Sequence, residues 1–532
     1  MTPSERAIAA LPPHLRRHTV AQDYAAYTPR DQAVWRHLLR RLTAYLAPRA
    51  HPRYLAGLAD TGIDVERIPS LDAMNERLAQ VGWSAVAVRG FIPPAVFTEL
   101  QSRAVLAIAA DIRTHEHVEY TPAPDIIHES AGHAPLLAEP TYARYLRAAG
   151  EVGFRAIPSA EDQAVFEAVR NLSVVKEDPA ASEDDLALAE QRLQAALRSV
   201  RFVSESTRAS RLYWWTAEYG LVGPLAAPRL YGAGLLSSIG EAVHCLTAGV
   251  AKLPLDPGCT EVAFDITRMQ PQLFVARDFE HLFEVLEAVA ATLSWRRGGD
   301  HGLAEALRSR TVTHLVLAGG LELSGRVVEL VRGEGERAPG LTTALCRLAG
   351  PVLVSRGGVA TRRPWPGDAV VAFGGGVADS RLPERGPFRL QLGGGLAVSG
   401  FAVGGGEVVE LSAALAGQAV PLPSWALLHT APAVQSVAAG PADPAAWDRW
   451  FGDLLDVAAG DGEARARAHR SAALPPRLAA LYAELRRLRA SSTATRERLL
   501  ALRELAASFP EDWLLRAEVE ELLVSAPDEA RA

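Results

Sequence analysis

The sequence predicts a multidomain α+β protein, with a mainly α-helical first domain, a small β-rich second domain and a helical tail. Three observations predict it. At 532 residues the chain is too long for one ordinary core, so two or three domains are expected. Between residues 31 and 300 apolar positions recur at helical spacing, as in Val34, Leu38, Leu42 and Leu46. From 310 to 437 short Val/Leu/Phe runs are cut by glycine, as in GPFRLQLGGGLAVSG, which is the mark of short strands and tight turns.

The elements follow in order. Residues 1–30 read as a loose arm. DQAVWRHLLRRLTAYLA (31–47) is the first clear helix, and LDAMNERLAQVG (71–82) is a second, ended by glycine. VFTELQSRAVLAIAADIR (96–113) reads as one long helix, and EYTPAPD after it as a turn. Residues 157–205 are charged and amphipathic, two helices around a Pro/Ser break. LYWWTAEYG (212–220), AGLLSSIGEAVHCLTAG (233–249) and DFEHLFEVLEAVAATLSW (278–295) read as further helical segments. His301 and His314 read as surface residues. LAALYAELRRLRA and RERLLALRELAASF make 444–527 a helical C-terminal region. The GGG runs lack the strand, Lys and Ser/Thr context of a phosphate loop.

Composition narrows the function classes. A net charge of -7 gives no basic field for nucleic acid. No uninterrupted apolar run is long enough to cross a bilayer, and MTPSERAIAALPPHLRRH lacks the apolar core of a signal peptide. Cys245, Cys259 and Cys346 are scattered without paired spacing, which fits reduced thiols and a cytoplasmic location. A bound metal would therefore draw on His and carboxylate.

PDIIHESAGH (124–133) supplies such residues. A zinc-protease helix would place its histidines four apart, whereas His128 and His133 are five apart. On a regular helix that spacing turns the second ring about 140° from the first. Gly132 could loosen the backbone there. Glu218, among the aromatic residues of YWWTAEYG, is the best third ligand, because binding a cation offsets the cost of a carboxylate in apolar surroundings. Two histidines and a carboxylate on one face of a metal leave positions open, the pattern of non-heme Fe(II) oxygenases. Zinc with the same residue types is the alternative.

PDIIHESAGH, YWWTAEYGL, YGAGLLSSIGE and DITRMQPQLFVARDFEHLFEVL, in that order, resemble the signature blocks of the pterin-dependent aromatic amino acid hydroxylases, over about residues 30–297. The resemblance implies a mostly helical catalytic domain (31–300) around an iron held by His128, His133 and Glu218. It implies that Arg113, paired with Asp125, holds the substrate carboxylate, since a guanidinium fork meets a carboxylate with two hydrogen bonds. Thr121 and Ser237 match polar groups near the substrate, and Ser237 or Ser238 would orient His128. Trp214 and Pro124 match walls around the substrate ring. Phe97 matches the ring that stacks on the pterin, with Gly90, Ile92 and Tyr213 as other parts of that pocket and Glu129 as a carboxylate beside it. The implied cofactors are Fe(II) and a tetrahydropterin, which together activate O2. One oxygen atom enters the substrate ring and the other leaves on the pterin.

Trp214, and Ile266 where the tyrosine enzymes carry an acid, favour phenylalanine as substrate, with tryptophan as the alternative. A metal-binding scaffold whose C-terminal domain carries the function is a further reading. Between His133 and Tyr213 the chain is about 45 residues longer than the family interval, and Pro94 replaces a hydrogen-bonding residue of the pterin loop. The residues beyond 300 resemble nothing named; homo-oligomerisation through the C-terminal region and the binding of a ligand are the two roles left open for them.

Overall fold

The computed structural model describes residues 1–90, 92–118, 125–177, 181–266, 268–374, 382–451, 474–491 and 495–525. The Pro29–Leu46 helix forms as its pattern requires. Thr28 and Asp31 cap it reciprocally, proline takes its first position, and Val34, Leu38, Leu42 and Leu46 are buried along one face. The helical pair of the charged stretch is Ala160–Glu177 and Glu183–Ser199, the second capped by Ser182 with Asp185.

Three expectations change. The first residues are not loose: Pro3–Ala10 and Pro13–Arg16 are helices, and Leu11 and Leu15 are buried in a cluster with Val96 and Leu100. The single helix expected over 96–113 is two elements. Pro94–Ser102 is helical, Ala104 takes a left-handed φ of 58°, and Val105–Ala109 is a strand. All five residues of VLAIA are buried. A strand covered on both faces has no period-two alternation, so its apolar run looks helical in sequence. His314 is not a surface group either. It lies half-buried on a strand, with Nδ1 3.0 Å from the carbonyl oxygen of Gly440.

Among the described residues three sheets carry the strands. The first joins β1 (Thr19–Val20), β2 (Ser84–Val88) and β3 (Val105–Ala109), with β2 and β3 parallel. The second joins β4 (Leu221–Val222), β5 (Arg229–Leu230), β6 (Ala251–Pro254) and β7 (Gln272–Ala276) in the order β5-β4-β7-β6. The third is an 11-stranded sheet running from β8 (Thr313–Leu317) to β18 (Val434–Ala439). Its centre is β12 (Ala369–Phe373), which pairs antiparallel with β10 (Thr343–Arg356) and parallel with β17 (Trp425–Ala431). Alternate residues of β12 enter two different cores. Val371 and Phe373 join Leu315, Leu348 and Leu427, whereas Val370 and Ala372 join Leu396, Val408 and Leu428.

The helices Pro476–Ser491, Arg496–Ala506 and Trp513–Ser525 return to the start of the chain. Leu478, Tyr482, Leu485, Leu514 and Val519 share one core with Val34, Leu38 and Leu42. Within that contact Arg36 donates to both oxygens of Glu518, at 2.8 and 2.6 Å, and both side chains are buried. Glu518→Ala would leave the buried Arg36 guanidinium without its carboxylate. It is expected to lower stability by about 3–5 kcal/mol, read as a fall in the thermal unfolding midpoint; an unchanged midpoint would contradict this role of the pair.

Candidate metal and substrate site

The five-residue histidine spacing is resolved by the backbone. Ile127–His133 is a π-helical turn. Its i→i+5 bonding brings residues five apart nearly above one another, where a regular helix would separate them. The His128 and His133 rings stand edge to face, 5.1 Å between centroids. Glu218 ends a second π-helical turn, Trp214–Glu218. Its two oxygens lie 3.2 Å from Nε2 of His128 and 3.1 Å from Nε2 of His133. Potential ligand atoms of the three residues lie within 4.8 Å of one another.

Glycine sets the approach of the supporting segment. A Cβ on Gly132 would stand 2.7 Å from the carbonyl oxygen of Ala233, and one on Gly232 would stand 2.4 Å from that of Glu218. Gly132 thus serves close packing. Ser237, at the end of the Ala233–Ser237 helix, donates its hydroxyl to the Ala233 carbonyl at 2.7 Å. Its oxygen is then the acceptor for Nδ1–H of His128 at 3.1 Å, which turns Nε2 of that ring toward Glu218. The Ser238 hydroxyl is occupied elsewhere, capping the Ile239–His244 helix.

Charge follows the geometry. Burial alone would lower the His128 imidazole, but Glu218 outweighs it and raises it to about 9. Burial alone would raise the Glu218 carboxyl, but the two imidazoles hold it well below the usual range. Nε2 of His133 faces Glu218, yet neither ring nitrogen makes a well-aligned hydrogen bond among the described residues. A buried ring with two such nitrogens, facing a carboxylate and a second oriented imidazole, fits a metal ligand set.

Arg113 and Asp125 form a buried fork, Nε to Oδ2 at 2.8 Å and Nη2 to Oδ1 at 2.9 Å. Asp125 Oδ1 also accepts from the backbone N–H of His128 at 3.0 Å. One carboxylate therefore fixes both the arginine and the start of the ligand turn. Burial pushes Asp125 up, and the guanidinium overcomes it and holds the group low.

The expected pterin and ring-wall residues divide as follows. Phe97 stands edge-on to Tyr213 at 5.8 Å, and Tyr213 is 6.4 Å from the His133 ring. Ile92 packs in the cluster beside Phe97, and Gly90 adopts a φ of 61° that favours glycine. Glu129 is buried, burial raises its carboxyl, and its Oε2 has no hydrogen-bond partner among the described residues. Trp214 stacks between Phe264, at 4.2 Å and 8°, and Tyr219, at 4.6 Å. Ile266 is exposed in a turn. Thr121 and Pro124 lie outside the described residues. Sequence reasoning missed Phe264 and Gln101. Gln101 is fully buried and donates to the Tyr213 hydroxyl at 2.5 Å. A glutamine on the buried face of an apolar helix was the signal available.

The sequence pattern of the biopterin-dependent aromatic amino acid hydroxylases matches residues 9–170 and 184–297. The chain belongs to this family. The match breaks at 171–183, which includes the last part of the Ala160–Glu177 helix, and stops before the 11-stranded sheet. The phenylalanine-4-hydroxylase of Pseudomonas aeruginosa is 32% identical over 265 residues, 49% of this chain and 83% of its own length. That of Chromobacterium violaceum is 29% identical over 277 residues, 50% and 76% of the two chains. A crystal structure of the Chromobacterium violaceum enzyme with bound iron(III) and 7,8-dihydrobiopterin is 29% identical, covering 54% of this chain and 90% of that one, with a TM-score of 0.41.

Two outcomes follow for this hydroxylase. Ser237→Ala removes the acceptor that orients His128 and is expected to weaken divalent-metal binding about 10–100-fold, measured by metal titration; unchanged affinity would exclude that support. Because His128 in the metal-free protein titrates at about 9, a metal must displace its proton at neutral pH. About one proton from this ring is expected to be released per metal at pH 7, falling away above pH 9. Calorimetry in buffers of different ionisation enthalpy measures it, and pH-independent binding would contradict the His128–Glu218 pairing.

Proposed function

We propose that the chain is a non-heme iron monooxygenase that hydroxylates L-phenylalanine to L-tyrosine with O2 and a tetrahydropterin. The observation that carries the reading is the buried convergence of His128, His133 and Glu218, with the Arg113–Asp125 fork tied to the same turn. The relatives named as phenylalanine-4-hydroxylases support the substrate, and membership of the biopterin-dependent family supports the pterin.

His128, His133 and Glu218 would hold the iron, leaving the remaining positions for exogenous ligands. When bound, iron and reduced pterin supply the electrons and the activation of O2 that ring hydroxylation needs. The chain's own groups bind and orient. Arg113 spends Nε and Nη2 on Asp125, while among the described residues its Nη1 reaches the Val118 carbonyl at 3.5 Å, and Nη1 is the group assigned to the substrate carboxylate. The Phe264–Trp214–Tyr219 stack holds Trp214, which is assigned as one wall for the substrate ring. Phe97 and Tyr213, tied down by Gln101, are assigned to the pterin side with Gly90, Ile92 and Glu129. Ser237 orients His128. We assign residues 31–300 as the catalytic unit, and 310–437 and 444–527 as units added to it.

The direct test is one incubation of Fe(II)-loaded protein with O2, a tetrahydropterin and equal phenylalanine, tyrosine and tryptophan. Tyrosine formed only with pterin and iron both present is the expected product. 5-Hydroxytryptophan instead would overturn the substrate assignment. Arg113→Ala is expected to raise the phenylalanine KM strongly, because each hydrogen bond to a charged group contributes about 1.5–3 kcal/mol. An unchanged KM would remove Arg113 from the site.

A further inference from the structure

We propose that the C-terminal helical unit is a built-in brace for the substrate-carboxylate loop, and that Trp513 is the positioning residue through which it acts. The inference rests on the assignment of Arg113 to the substrate. The unit lies beyond residue 297, where the family match ends, so the brace is an addition to the hydroxylase scaffold.

The connection can be followed atom by atom. Trp513 opens the last described helix, and its indole N–H donates to the carbonyl oxygen of His115 at 3.2 Å. The ring stands edge-on to His37 of the Pro29–Leu46 helix at 5.2 Å between centroids. His115 begins a short turn, His115–His117, two residues after Arg113. Val118, just past that turn, is buried and faces Arg113 Nη1 with its carbonyl. Arg113 is forked to Asp125, and Asp125 accepts from the backbone of His128. A run of contacts thus leads from the tail to the arginine and on to a metal ligand.

The tail is also anchored where it needs to be stiff. Asp512, immediately before Trp513, accepts from the Tyr482 hydroxyl at 2.6 Å and pairs with Arg30 at 2.9 Å. Glu518, farther along the same helix, holds Arg36. Arg30 and Arg36 both belong to the Pro29–Leu46 helix. The indole is therefore fixed on both sides relative to the body of the protein, and its single hydrogen bond goes to the loop rather than to its own unit. A side chain serving packing alone would not need that N–H aimed at a loop carbonyl.

The test compares the full chain with Trp513→Phe, which keeps a ring but loses the N–H, and with Trp513→Ala. Two readouts are taken: backbone hydrogen exchange of residues 113–118, and steady-state kinetics with phenylalanine. Faster exchange of that segment is expected in both variants. The phenylalanine KM is expected to rise about two- to tenfold for the lost hydrogen bond, with kcat, pterin KM and iron content near those of the parent. Unchanged exchange in the folded Trp513→Phe protein would overturn the brace. Faster exchange with an unchanged phenylalanine KM would overturn its link to the substrate. If the parent hydroxylates none of the aromatic amino acids, the functional reading fails separately, and the exchange measurement alone then decides: faster exchange keeps the mechanical brace, equal exchange removes it.

Discussion

The structure depends on one constraint: two imidazoles and a carboxylate buried within contact of each other must be satisfied together. His133 is fully buried at its side chain, and Glu218 and His128 are 12% and 18% exposed. Charged groups so placed are costly unless paired or bound to a cation. Two π-helical turns meet that constraint: one brings His128 and His133 together at a spacing a regular helix could not use, and the other ends on Glu218. The turns approach a common helix only because Gly132 and Gly232 carry no Cβ.

Around that centre the same groups serve more than one purpose. Asp125 neutralises Arg113 and also holds the backbone of His128. Tyr213 joins the helix of Phe97 to the ligand turn through Gln101. Positions that bind and positions that orient are thus mechanically continuous, which suits a reaction whose protein part is placement and exclusion of water.

Much of this was legible in sequence, and the failures have physical causes. His128, His133 and Glu218 stood out as the acid and histidines in apolar context, but the regular-helix period could not show that a π turn would align them. The strands of residues 313–439 announced themselves through glycine-cut apolar runs. Their order did not, because β12 and β17 pair across more than fifty residues of intervening chain, and nothing local encodes that choice. VLAIA looked helical because a strand covered on both faces loses its alternation. The C-terminal helices were visible as amphipathic runs, yet the surface they cover was not: Arg36 and Glu518 are 482 positions apart. Gln101 and Phe264 gained meaning only from partners distant in the chain.

The measurement that tests the central claim most directly is X-ray absorption on the full chain loaded with Fe(II), beside Glu218→Ala prepared the same way. One iron per chain is expected, held by two imidazoles and oxygen ligands with exchangeable positions, with loss of that iron in the variant. A closed four-ligand site without exchangeable positions, or full iron occupancy in Glu218→Ala, would contradict it.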